Sequence, residues 1–98
     1  MEIKFSHGEN FVIALSGRLD TVTSIELSKA LEGEKIDEQL TIIDMKDLQY
    51  ISSAGLRLLL AIKKDLAEEG KQLEIHNLNN VCKEVFKVTG FGNILTVK

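Results

Sequence analysis

The sequence predicts an α/β domain in which helices pack on a mixed sheet of four or five strands. Short segments that are apolar, or that alternate apolar and polar residues, are typical of strands. They are interleaved with longer segments whose apolar residues recur every three or four positions, as in amphipathic helices. The 98 residues suffice for one compact domain, 1–98, and are too few for two. The predicted order is β-β-α-β-α-β-α, with room for a final short strand.

The first twenty residues predict a β-hairpin. Residues 2–6 alternate polar and apolar side chains, and residues 7–10 are of the types that form turns. Residues 11–15 are an apolar run of strand-forming types. The sequence Gly17-Arg18-Leu19-Asp20 interrupts this pattern and marks the end of the second strand.

A first helix follows the hairpin. Thr23 and Glu26 have the spacing of a capping box, in which the two side chains satisfy free backbone donors. Gly33 is expected to end the helix in a left-handed conformation, and the polar residues 34–39 are expected to form an exposed loop. The apolar stripe of this helix is predicted to consist of Ile25, Leu27, Ala30 and Leu31.

The middle of the chain predicts a central strand and a long helix. Residues 40–45 are nearly all apolar, which predicts a strand covered on both faces. Residues 46–52 are predicted to be a connector, and residues 54–69 a helix that ends near Gly70. Its helical spacing is carried by Leu56, Leu59, Leu60, Lys63 and Leu66.

The last part of the chain predicts one more strand and one more helix. Residues 72–76 alternate as a strand does, and Asn77 or Asn80 is expected to cap the helix. Residues 90–92 predict a turn, and residues 94–97 a short final strand. The residues that mark this helix are Val81, Val85, Phe86 and Val88, with Cys82 in the core.

Two serines stand where such sheets usually carry function, after the central strand and before a helix. Ser52 and Ser53 can each accept a hydrogen bond from a free N–H of the first helical turn. The same position tolerates a phosphate, because the helix start carries partial positive charge. From spacing alone, both a plain cap and a phosphorylation site remain open. Gly55 is either a packing glycine or a bare position that another backbone or a nucleotide phosphate can approach.

Residues 44–56, with the sequence D-M-K-D-L-Q-Y-I-S-S-A-G-L, resemble the signature of STAS domains, the sulphate-transporter and anti-sigma-factor-antagonist family. That pattern is roughly D-x-S-x-[VL]-x-x-[MI]-D-S-S/T-G-L. Residues 17–20 resemble the family's G-x-[LI]-D motif, and the predicted element order agrees along the whole chain. The length is similar to that of bacterial anti-sigma factor antagonists rather than to the domains fused to transporters.

The resemblance implies a regulatory binding protein and no enzyme. In such antagonists the unmodified domain binds a serine-kinase anti-sigma factor and thereby frees a sigma factor. The kinase phosphorylates the antagonist with ATP and ends binding, and a PP2C-type phosphatase reverses the modification. The family's phosphorylated serine corresponds to Ser53, and its partner-contacting acidic residue to Asp20. The implied partner-binding surface comprises Asp20, Ser52, Ser53, Ala54, Gly55, Leu56 and Arg57.

The sequence departs from the family pattern beside the phosphate acceptor. Ser52 replaces the usual acidic residue and is a second candidate acceptor, Ala54 replaces the small or hydroxyl residue, and Arg57 stands where glycine is frequent. Arg57 either pairs with a phosphate on Ser53 or is a solvated helix residue. An alternative function is a constitutive STAS subunit of a bacterial lipid-transport ATP-binding-cassette complex, which would use the same surface without a phosphate switch.

Composition and charge disfavour several other functions. The net charge of -3, with dispersed Lys and Arg, argues against nucleic acid. No apolar run approaches the length of a membrane span or signal peptide, and the single cysteine suits the reducing cytoplasm. His7 and His76 lack partners at metal-ligand spacing, so no metal or other cofactor is expected. A Ser53-His76-Asp44 triad can be written on paper, but nothing else in the sequence supports catalysis.

Overall fold

A computed structural model describes residues 1–98 and contains a five-stranded sheet and three α-helices. The strands are β1 (Glu2–Ser6), β2 (Phe11–Leu19), β3 (Leu40–Ile51), β4 (Gln72–His76) and β5 (Thr96–Val97). The helices are α1 (Thr21–Glu32), α2 (Ser53–Glu68) and α3 (Asn80–Thr89), and a 3-10 turn spans Phe91–Asn93. The predicted α/β class and element order are therefore confirmed, including the short final strand. None of the three helices combines the length and apolarity needed to span a membrane.

The strands lie in the sheet in the order of the chain, β1-β2-β3-β4-β5. The hairpin pair β1–β2 is antiparallel, and the three remaining pairs are parallel. Parallel neighbours require a crossover, which α1 supplies between β2 and β3 and α2 between β3 and β4. Both helices therefore begin at the same edge of the sheet, the edge where β2 and β3 end.

The helices cover only one face of the sheet. On this face Phe11 pairs with Thr41 and Ile13 with Ile43, and all four side chains are buried. The residues between them on β3, Leu40, Ile42 and Asp44, face the other way and are only half-buried. The prediction that residues 40–45 are covered on both faces is therefore wrong. The segment is nearly all apolar because aliphatic residues also line the face that no helix covers.

Strands β2 and β3 extend well beyond their predicted ends. β2 continues to Leu19, and β3 runs through the predicted connector to Ile51. The register of the β2–β3 pair is interrupted twice, and at each interruption β3 has one residue more than β2. At the first interruption two consecutive residues of β3, Lys46 and Asp47, are both exposed. Such bulges break the period-two pattern and make a strand look like a loop in the sequence. The extension carries the motif residues to the end of the sheet.

Helix α1 begins earlier than the predicted capping box. Asp20 is the N-cap and Thr23 is the third helical residue, so the box is formed by Asp20 and Thr23 rather than by Thr23 and Glu26. Gly33 ends the helix in a right-handed conformation with φ of -83°, not in the predicted left-handed one. Ile25, which was assigned to the apolar stripe, is 55% exposed. The earlier start follows from Asp20, whose carboxylate satisfies the first free N–H groups.

Helix α3 is capped by Asn79, not by Asn77 or Asn80. The Asn79 side chain accepts from the N–H of Cys82 at 2.8 Å and donates to the carbonyl of Leu48 at 3.0 Å. Asn77 instead adopts a left-handed turn with φ of 64°. The cap thus also ties the helix to the extended part of β3.

The packing face of α3 is narrower than predicted. Cys82 is buried as expected, and burial raises the pKa of its thiol. Phe86 is buried too, but Val81 and Val88 are 55% and 71% exposed. Only some of the apolar residues of this helix therefore belong to the core. Residues 91–93 form the 3-10 turn in place of a simple turn, and the final strand is two residues long.

A histidine clasp joins the β1–β2 turn to the loop after α1. The His7 ring lies 2.8 Å from Glu34 through Nε2 and 2.8 Å from Glu38 through Nδ1. It also stacks on Phe11, with ring centroids 4.4 Å apart. The hydrogen bond to Glu34, and then that to Glu38, raises the pKa of His7. Both ring nitrogens donate only when the ring is protonated.

We expect this clasp to make stability depend on pH near neutrality. Because folding raises the pKa of His7, protonation of this ring stabilises the folded protein. This contribution is fully present below the unfolded-state pKa of about 6.5, and it is lost as the pH rises through the higher folded-state pKa. Urea midpoints of the wild type and His7→Gln should therefore differ most at about pH 5.5 and converge by about pH 8.5. A difference that stays constant across this range would contradict the prediction.

Candidate functional site

The two motif segments meet where β2 and β3 end. Leu19 and Ile51 are paired in the parallel register, so Asp20 and Ser52 leave the sheet side by side. The N–H of Ser52 donates to the carbonyl of Leu19 at 2.9 Å, which fixes the two chain exits to each other. Each exit leads at once into a helix, α1 after Asp20 and α2 after Ser52. Residues far apart in the sequence thus form one continuous surface.

Gly55 allows the start of α2 to lie directly on the end of β2. A Cβ atom at Gly55 would lie 2.9 Å from both Cγ and the carbonyl oxygen of Leu19. Gly55 is buried, and the backbone that approaches it is that of Leu19 in the same chain, so Gly55 is a packing glycine. Leu56 is 2% exposed and belongs to the core. In the free chain Gly55 and Leu56 thus lie beneath the predicted surface and support it from below, and their contact with a partner stays a prediction.

The two serines have different roles at the start of α2. Ser52 is the N-cap, and its half-buried side chain accepts from the N–H of Gly55 at 3.2 Å. Ser53 is the first helical residue, it is exposed, and its hydroxyl has no hydrogen-bond partner in the chain. One serine therefore caps the helix and its neighbour keeps a free hydroxyl, a division that the spacing of the sequence alone did not decide.

Asp20 has one carboxylate oxygen engaged and one free. Oδ1 accepts from the N–H of Thr23 at 3.0 Å and from that of Val22 at 3.1 Å. The hydrogen bonds from Thr23 are the main reason that the pKa of Asp20 is lowered, and the charge of Arg18 adds to the effect. Oδ2 makes no hydrogen bond within the chain. A half-exposed, ionised carboxylate therefore stands beside the serines with an acceptor available to a partner.

The remaining predicted site residues lie along the exposed side of α2. Ala54 is half-buried, and Arg57 is exposed. Arg57 follows Ser53 by four residues, which places both side chains on the same side of the helix. Arg57 forms no salt bridge, so its guanidinium is free to pair with an anion at Ser53.

Four residues of this surface were not predicted. Arg18 and Tyr50 are paired across β2 and β3, and the guanidinium lies 4.6 Å from the ring centroid. Val22 and Ile25 on α1 are 67% and 55% exposed. The sequence offered one signal for Arg18: it precedes Asp20 by two residues, which is the period of a strand. Nothing in the sequence marked Val22 as exposed.

Other constellations from the sequence do not assemble. His76 lies 2.9 Å from Glu74, while Asp44 accepts from Asn77 at 2.9 Å, and neither is hydrogen-bonded to Ser53. The hydrogen bond from Asn77 is the main reason that the pKa of Asp44 is lowered. No group of three or more His, Cys, Asp or Glu side chains is placed to hold a metal ion.

Comparison with known proteins identifies the family to which this fold belongs. The family model described as "Mlab, STAS domain" matches residues 5–96. An anti-sigma-B factor antagonist of Listeria monocytogenes is 26% identical over 100% of this chain and 87% of its own length. A putative anti-sigma factor antagonist of Bordetella bronchiseptica, BtrV, is 32% identical over 88% of this chain and 75% of its own.

A solved structure shows the same fold. An anti-sigma factor antagonist from Mycobacterium paratuberculosis superimposes with a TM-score of 0.82 and 22% identity, over 98% of this chain and 85% of that chain. The family match extends from the end of β1 to the start of β5 and includes both motif segments. The chain therefore belongs to the STAS domain family, and the relatives named here are anti-sigma factor antagonists.

Proposed function

We propose that this protein is an anti-sigma factor antagonist of the cytoplasm that is switched by phosphorylation of Ser53. The observation that carries the proposal is the exposed, unpartnered hydroxyl of Ser53 at the start of α2, beside a cap that Ser52 already provides. In the unmodified state the protein binds a serine-kinase anti-sigma factor and so releases a sigma factor. It acts as a binding protein and has no catalytic role of its own.

The partner-binding surface is centred on the start of α2. Ser53, Ala54 and Arg57 contribute from α2, the cap Ser52 shapes the turn, and Asp20 contributes its free carboxylate oxygen. The exposed aliphatic side chains of α1 extend this surface beyond Asp20. Such a combination of small, apolar and singly charged groups fits a partner that buries a partly apolar interface.

Phosphorylation changes the surface without requiring a change of fold. The kinase transfers the γ-phosphoryl group of ATP to Oγ of Ser53, which loses its proton, and ADP leaves. The modified residue gains a charge of about -1.5 to -2 at a helix start, where N–H groups and the macrodipole tolerate an anion. The neighbouring Asp20 is already negative, so a partner must now desolvate two adjacent anions. A PP2C-type phosphatase restores the hydroxyl by hydrolysis to inorganic phosphate.

The constitutive alternative has one observation in its favour. Ser52 stands where the family usually has an acidic residue, so the negative charge beside the phosphate acceptor is missing, and Ser52 serves as the cap of α2. A subunit of a lipid-transport ATP-binding-cassette complex would bind its partner through the same residues with no phosphate. The two functions differ in the partner that is bound and in whether Ser53 is modified.

Phosphorylation of Ser53 can be tested directly. We expect incubation with a serine-kinase anti-sigma factor of the same organism and ATP to add one phosphate, located on Ser53 by tandem mass spectrometry. Ser53→Ala should abolish the modification, whereas Ser52→Ala should retain it because the acceptor is still present. A phosphate on Ser52, or stable binding to the kinase without any modification, would contradict the proposed switch.

A further inference from the structure

A groove lies between the C-terminal half of α1, the loop that follows α1, and the part of α2 from Leu58 onward. Its volume is about 350 Å³, and its floor is aliphatic. Ile62 and Leu66 are buried, whereas Leu31, Ile36 and Leu58 are half-buried and pack against the core from the side. These three side chains keep apolar surface in contact with solvent, as a docking surface requires.

The charged residues that line this groove are all acidic. Its charged lining residues are Glu32 on α1 and Asp65 and Glu69 on α2, and no basic side chain lines it. Glu69 is 3.4 Å from Lys71, whose ammonium also donates to the carbonyl of Ile36. Glu32 and Asp65 form no salt bridge. An apolar floor between uncompensated carboxylates favours an occupant that is both apolar and positively charged.

The walls of the groove determine the shape of the occupant. Both walls are helices, whose backbone groups are hydrogen-bonded internally, so an extended peptide finds no strand edge to pair with. A helix fits such a groove by placing apolar side chains at every third or fourth position on the floor. We propose that the groove is a docking site for a basic amphipathic helix of a partner protein.

This site is separate from the proposed phosphorylation surface. Asp65 follows Ser53 by twelve residues of α2, which corresponds to about 18 Å along the helix axis. That distance exceeds the screening length of about 8 Å at physiological ionic strength. A charge at Ser53 should therefore leave the acidic rim at Asp65 unaffected, and the groove does not depend on the antagonist function.

A synthetic peptide tests the proposal. The probe is a fluorescein-labelled helical peptide with leucines every three or four positions and lysines on both flanks, measured by anisotropy. We expect Glu32→Lys combined with Asp65→Lys to weaken binding at least about tenfold. Glu2→Lys combined with Glu84→Lys makes the same change of net charge outside the groove and should leave the affinity within about twofold. Ser53→Asp should also bind normally.

A second variant tests the floor rather than the rim. Ala61 lines the groove and is exposed, so Ala61→Arg places a long cationic side chain in it without removing a core contact. This variant should fold and lose the peptide. The proposal is overturned if a peptide of the same composition with scattered leucines binds equally well, or if both charge-reversed pairs bind alike. Self-association that Ala61→Arg abolishes, without peptide binding, would instead identify a second copy as the occupant and overturn it too.

Discussion

Ser53→Asp is expected to weaken binding of the anti-sigma factor by roughly a hundredfold, whereas Ser53→Ala retains it. The side chain of Ser53 is exposed and unpartnered, so a carboxylate is accommodated in the free protein at little cost. In the complex the carboxylate is buried beside ionised Asp20, and an exposed Arg57 one turn along α2 offsets this repulsion only in part. Placing like charges together in an interface costs several kcal/mol, and a net cost of about 3 kcal/mol corresponds to the hundredfold change. Titration calorimetry with the purified anti-sigma factor measures the effect.

Helix α3 offers a matched control for this experiment. Asn80 is the first residue of α3, as Ser53 is the first residue of α2, and it is also exposed. Asn80→Asp therefore adds the same charge at an equivalent position of another helix, outside the residues proposed to contact the partner, and its affinity should stay close to that of the wild type. Circular dichroism should show that both variants remain folded, because an acidic residue suits a helix start. Equal affinities of Ser53→Asp and Ser53→Ala would favour the constitutive alternative.

The element order could be predicted because each segment has its own hydrophobic period. The ends of β2 and β3 could not, since the bulge at Lys46 and Asp47 interrupts that period while the ladder continues through it. The start of α1 was missed for another reason. Asp20 and Thr23 are both good cap residues three positions apart, and only the geometry of the strand exit makes Asp20 the cap.

The candidate site shows the same limit. Ser52 and Ser53 are chemically identical in the sequence, and the motif resemblance alone favoured Ser53. The structure supports that choice because one hydroxyl is engaged by the N–H of Gly55 and the other is not. Val22 could not be assigned to the surface beforehand, since an aliphatic residue in a helix is more often buried than exposed. Its exposure is a tertiary property that depends on how α1 lies on the sheet.

Gly55→Ala is expected to lower the free energy of unfolding by about 2 kcal/mol, against the usual preference for alanine in helices. Alanine at an ordinary helical position gains about 1 kcal/mol over glycine. Here the new methyl group would lie 2.9 Å from Cγ and from the carbonyl oxygen of buried Leu19. That oxygen accepts from Ser52 and cannot move away without loss of the bond that joins the two chain exits. Overpacking of this kind costs about 3 kcal/mol, which exceeds the helical gain.

Gly8→Ala is the matched control, because a Cβ at Gly8 meets nothing within 4 Å and its φ is not in the left-handed range. This control should leave stability unchanged or raise it by up to about 1 kcal/mol, since alanine restricts the unfolded chain. Urea denaturation of both variants gives the comparison. The clash at Gly55 also displaces the first turn of α2 from the end of β2, so binding of the anti-sigma factor should weaken even at temperatures where the variant is fully folded. Stability equal to that of the wild type, together with normal binding, would show that Leu19 can yield and that the position of Ser53 does not depend on this contact.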